Sequence, residues 1–138
     1  MNSQPAPGSN PWITFDVTAQ AMAEPGLADT TVMEIDKAFQ VKVNFVFAGF
    51  LAPWIVSLGV PCKISVSAES IGPGPELTLG ASTVTTLAGP LNYSGTVNVA
   101  AHTLTEGTYK LVAAVTIPNS PVAGFIEGPI IQMIPAYP

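Results

Sequence analysis

The chain has 138 residues, enough for one domain with a full core, yet only 9% of them are charged, against roughly a quarter in an average soluble domain. It has no Arg and only Lys37, Lys42, Lys63 and Lys110, so it lacks the basic stripe that a phosphate backbone needs, and nucleic acid is excluded as a partner. A lone Cys62 excludes an internal disulfide, and no apolar run approaches the roughly 20 residues of a membrane-spanning helix.

Residues 1–11 are rich in Pro, Ser, Asn and Gly with nothing to bury, and they read as a flexible arm ahead of a single domain at 12–138. The arm has neither a basic n-region nor an apolar h-region and does not read as a secretory signal. From Trp12 to Gln20, Ile13, Phe15 and Val17 alternate with Thr14, Asp16 and Thr18, which predicts a half-buried first strand able to pair with a neighbour's edge. A connection through Pro25 and Gly26 leads to a short piece at Thr31 to Asp36 with Met33 and Ile35 on one side. All of the net charge of −5 is carried between Asp16 and Asp36, because beyond them the four Lys balance Glu69, Glu76, Glu106 and Glu127.

Phe39, Val41, Val43, Phe45 and Phe47 alternate with polar residues and form the clearest strand of the chain. Ala48 to Pro61 is then broken by Gly49, Pro53, Gly59 and Pro61 while remaining apolar, which predicts a loop that either lids the core or presents Phe50, Leu51 and Trp54 to a partner. Cys62, Ile64, Val66 and Ala68 mark the inner face of a third core strand. The Gly72-Pro73-Gly74-Pro75 turn precedes two short β pieces, Glu76 to Leu79 and Ser82 to Leu87, on either side of Gly80. Tyr93, Val97, Val99 and Ala101 alternate with polar residues up to Leu104, and a long strand runs from Gly107 to a turn at Pro118 to Pro121. The last strand, Ala123 to Ile134, is interrupted at Gly128-Pro129, which reads as a bulge or a switch of sheet partner.

About seven strands at regular spacing, with no convincing helix, predict an all-β Greek-key sandwich, with a jelly roll as the alternative. The run Leu104-Thr105-Glu106-Gly107-Thr108-Tyr109-Lys110-Leu111 resembles the tyrosine corner of the immunoglobulin-like and fibronectin-type sandwiches of bacteria. That resemblance implies a structural corner at Leu104, Gly107 and Tyr109, whose hydroxyl bonds backbone near Leu104. It also implies a spacer, adhesin, assembly subunit or binding module.

Chemistry finds few materials here. His102 is the only His, and Cys62 is predicted inside a strand, so no catalytic pair is expected and the chain reads as a non-enzyme without cofactor or metal. Asp29, Glu34 and Asp36 lack the spacing of a calcium loop, and Glu69 with Glu76 reads as carboxylates flanking a turn, not as a glycosidase pair. The expected function is a self-associating assembly subunit or adhesive domain, with Trp12, Phe50, Leu51 and Trp54 as interaction residues and with copies of itself or other protein subunits as partners. The alternative is a small-ligand or carbohydrate-binding module using Trp12, Trp54 or Tyr93 as a platform. The compartment is left open, with an extracellular or assembly-associated setting favoured by the low charge.

Overall fold

The computed structural model describes residues 14–22, 31–72, 76–118 and 123–136, with side chains from Asp16 onward. The arm at 1–11, Trp12, most of the connection after Met22 and the turn at 119–121 lie outside the described residues. The elements are β1 (Thr14–Met22), β2 (Val32–Glu34), β3 (Phe39–Ala48), α1 (Ala52–Ser57), β4 (Pro61–Ser70), β5 (Glu76–Thr85), β6 (Asn92–Val99), β7 (Gly107–Thr116) and β8 (Ala123–Ile134).

Two sheets pack face to face, a three-stranded one in the order β1-β3-β6 and a five-stranded one in the order β2-β8-β7-β4-β5. This is an immunoglobulin-like all-β sandwich and not a jelly roll. β5 stays beside β4 and does not cross to β6, so the antibody arrangement of four strands against three is not adopted. Every neighbour pair is antiparallel except β2 with β8, where Val32 to Glu34 run parallel to Gln132 to Ile134.

The alternating sequence accounts for the core. Phe39, Val41, Val43, Phe45 and Phe47 of β3 meet Cys62, Ile64, Val66 and Ala68 of β4 and Leu111, Ala113 and Val115 of β7, all of them buried. Each such large aliphatic or aromatic side chain contributes about 1.5–3 kcal/mol relative to exposure. On β6, Gly95 takes an inward position where a Cβ would sit 2.5 Å from Ile64 Cδ1 and 2.9 Å from Val84 Cγ2. The two sheets thus approach too closely there for any side chain.

Three expectations change. The apolar stretch after β3 contains a helix of six residues, α1, because Pro53 fits its first turn and Ala52 and Val56, four apart, share one buried face. Residues 76–85 form one continuous strand, with Leu79 as the extra residue of a bulge between the pairs Val66–Gly80 and Ser67–Thr78. The first strand starts at Thr14 and reaches Met22, two residues beyond the expected end at Gln20, and it pairs along its whole length with β3 as the edge strand of its sheet. At Gly128-Pro129 two residues of β8 face the single Leu111 of β7, which is the bulge and not the switch of partner.

The sandwich has two poles. One gathers the start of β1, α1, the connection β5–β6, the end of β7 and the start of β8, and the other gathers the β6–β7 corner, the end of β4, the start of β5 and the end of β8.

A charge-free apolar pole as the candidate interaction site

Six residues of helix are too short to be stable alone, and α1 persists because it is clamped from within. Ala52 and Val56 are buried and Ile55 packs against the core. The clamp is Thr86, a wholly buried polar residue just past β5. Its hydroxyl donates to the Val56 carbonyl at 2.9 Å and accepts from the Val60 amide at 2.8 Å, while its own amide donates to the Val60 carbonyl at 3.0 Å. The helix end and the β5–β6 connection are thereby held as one unit.

The opposite side of α1 faces solvent. Phe50 and Trp54 are each 76% exposed and Leu58 71%, with Leu51 on the margin and Leu87 projecting beside Thr86. No residue at 49–60 or 86–91 carries a charge. Loops at a pole normally wet themselves with charged side chains, so an apolar, uncharged tip makes this surface the candidate interaction site. Of the expected interaction residues, Phe50, Leu51 and Trp54 come together here, and Trp12 lies outside the described residues. Leu58 and Leu87 join them. Both were legible as apolar residues in loop sequence, but only the Thr86 clamp brings the two loops side by side.

Tyr93 is half-buried and packs inward. Its ring stacks on Phe45 with centroids 5.7 Å apart and meets Phe47 edge-on at 5.8 Å. Its hydroxyl donates toward the Leu87 and Pro90 carbonyls and accepts from the Leu87 amide, so it ties down the β5–β6 connection. At the other pole the Tyr109 hydroxyl donates to the Thr105 carbonyl at 3.0 Å, one residue past the buried Leu104. Gly107 there has φ 151°, and a Cβ on it would meet the Tyr109 ring at 3.7 Å.

The residues weighed for chemistry are dispersed. Cys62 is buried at the start of β4, where desolvation pushes its thiol up to about 11, and His102 is exposed in the connection at the opposite pole. Glu69 and Glu76 are cross-strand partners on the outer face of the five-stranded sheet. Lys110 lies 3.3 Å from Glu69 and 3.2 Å from Glu127, and those contacts, that with Glu127 first, hold its ammonium above the usual range. Among the described residues no grouping of three or more His, Cys, Asp or Glu is placed to hold a metal ion.

No protein-family model and no curated protein matches the sequence. Solved structures do share the fold. A CARDB domain from Pyrococcus furiosus, determined in complex with di-metal ions, superposes with a TM-score of 0.54 at 14% identity over 93% of this chain and 99% of that one. A β-glucosidase from Listeria innocua in complex with glucose gives 0.54 at 10% identity over 91% of this chain, which corresponds to 16% of the enzyme. At these identities the likeness is one of fold, and it supports an immunoglobulin-like sandwich.

Proposed function

We propose that the chain is a non-enzymatic interaction module of an assembly, docking through the pole built by α1 and the β5–β6 connection. The observation that carries this is the division between a clamped inner side of α1 and an outer side of Phe50, Trp54 and Leu58, in loops that carry no charge at 49–60 or 86–91. Burial of such residues favours association at about 25 cal/mol per Å² of apolar surface, and the absence of charge removes the penalty for desolvating ions. Trp54 faces solvent, as a carbohydrate platform must, but its companions Phe50, Leu51 and Leu58 are apolar and supply none of the polar groups that orient a sugar.

Replacing Trp54 and Leu58 together by Ser tests the reading, since both are exposed and neither supports the core. The variant is expected to melt like the parent and to lose association, whether with itself or with a captured subunit, by light scattering and pull-down. Unchanged association of a folded variant overturns it.

A further inference from the structure

The outer face of the five-stranded sheet has a charge pattern that two copies of the chain can satisfy in each other. On β4, β5 and β7 its middle is uncharged, made of Ser65, Ser67, Ala81, Ala114 and half-buried Val112, while Glu127 of β8 stands across from Val112. On β8, Phe125 and Ile130 rise from this face with 62% and 54% of their surface exposed. The outer face of an antiparallel sheet in a free domain is normally studded with charge, so this centre is unusual.

On β4, β5 and β7 the charges lie at the two ends. At one end Lys63 stands in a row with Thr83 and Thr116 and has no acidic cross-strand neighbour. At the other, Glu76 lies directly across from Glu69, and Glu69 and Glu127 share the single ammonium of Lys110. Three carboxylates around one ammonium leave this end negative, and like charges in cross-strand register are destabilising unless a cation relieves them. A hollow of about 450 Å³ lies against Glu69, Glu76 and Lys110, open to solvent and large enough for a Lys side chain.

We propose that this face is an isologous interface on which a second copy packs with its strands reversed, each Lys63 seated over the Glu69–Glu76 pair of the other copy; this rests on reading the chain as an interaction module and adds a contact surface apart from the α1 pole. The symmetry follows from the charges. A two-fold axis in the plane of contact and perpendicular to the strands keeps β4 over β4 and reverses its direction, so Lys63 of one copy meets Glu69 of the other, twice. An axis parallel to the strands sets Lys63 over Lys63 and the carboxylates over each other. Only the first is self-complementary along β4, and it also lays the uncharged middles of β4 and β7 together at the spacing of a face-to-face sheet stack, with Phe125 set over Glu127 of the other copy.

The test is the mass of the full chain by sedimentation equilibrium over a wide concentration range, for the parent and for Lys63→Glu, Glu76→Lys, the double variant and Trp54→Ser. Lys63 and Glu76 are exposed, so these variants keep the fold, which thermal melts check. The expected result is a dimer whose dissociation constant rises about tenfold or more in each single charge variant and with added salt, and recovers in large part in the double variant. A parent that stays monomeric overturns the proposal. So does a mass that falls with Trp54→Ser but not with Lys63→Glu, and that result leaves the α1 pole standing as the contact surface.

Discussion

The hydroxyl of Thr86 donates to the carbonyl of Val56 at 2.9 Å, joining residues thirty positions apart across the pole that carries the exposed apolar side chains. The same oxygen receives the Val60 amide. Thr86→Val keeps the shape and removes both bonds, leaving a buried carbonyl and a buried amide without that partner. The expected loss is about 1–3 kcal/mol by urea unfolding, with Thr86→Ser close to the parent. A Thr86→Val protein as stable as the parent would show that α1 is held by its apolar side alone.

Gly95→Ala puts a methyl group where Ile64 and Val84 already stand at 2.5 and 2.9 Å. Overpacking of this kind costs about 1–3 kcal/mol. Ile64→Val in the same chain shortens the group in the way and is expected to return part of the loss, so the two changes are non-additive in a thermal-melt cycle. Strict additivity counts against the close approach of the sheets.

The two tyrosine hydroxyls differ in how much backbone they hold. Tyr109→Phe removes a bond to the Thr105 carbonyl and a contact with the Thr105 hydroxyl, whereas Tyr93→Phe releases the Leu87 amide and the proton shared between the Leu87 and Pro90 carbonyls. At about 0.5–1.5 kcal/mol for each bond, Tyr93→Phe is expected to be the more costly. It also raises hydrogen exchange at the Leu87 amide, and equal exchange in parent and variant rejects the role given to Tyr93.

Cys62 is expected to resist alkylation in the folded chain at neutral pH and to react once urea opens the core, because burial lifts its thiol from 9.0 to about 11. The linkage has a definite sign. Between these values the unfolded chain has already lost the thiol proton that the folded chain keeps, so stability is full below pH 9 and falls as pH rises toward about 11. The fall reaches at most about 1.4 kcal/mol per pH unit for one group. Unfolding curves of the parent and Cys62→Ala over this interval isolate it from other titrations, and parallel curves reject it.

How far the sequence could be read depended on whether a segment's partners lie in its own pattern. Phe39 to Phe47 and Cys62 to Ala68 alternate so regularly that their inward faces follow directly, and Gly128-Pro129 betrays its interruption by composition. The α1 helix is not readable in this way, because its inner side is only Ala52 and Val56 and its clamp, Thr86, is remote in sequence. Gly80 looks like a break between two pieces of strand. In the fold it continues β5 through a bulge, which a pairing with β4 reveals and a period of two conceals. Likewise nothing local in Tyr93 distinguishes a ring offered to a ligand from one turned inward onto Phe45.

β1 begins at one pole and β8 ends at the other, and each terminal strand lies lengthwise against an antiparallel neighbour, β1 on β3 and β8 on β7. A pull applied between these two points acts along both strands, so it shears the ladders and does not peel them. Many hydrogen bonds then bear the tension together, including those of the parallel β2–β8 pair between Ile35 and Ile134 and between Gln132 and Thr31. With β1 starting at one pole and β8 ending at the other, tension along the long axis of the sandwich is thus met by these ladders in parallel.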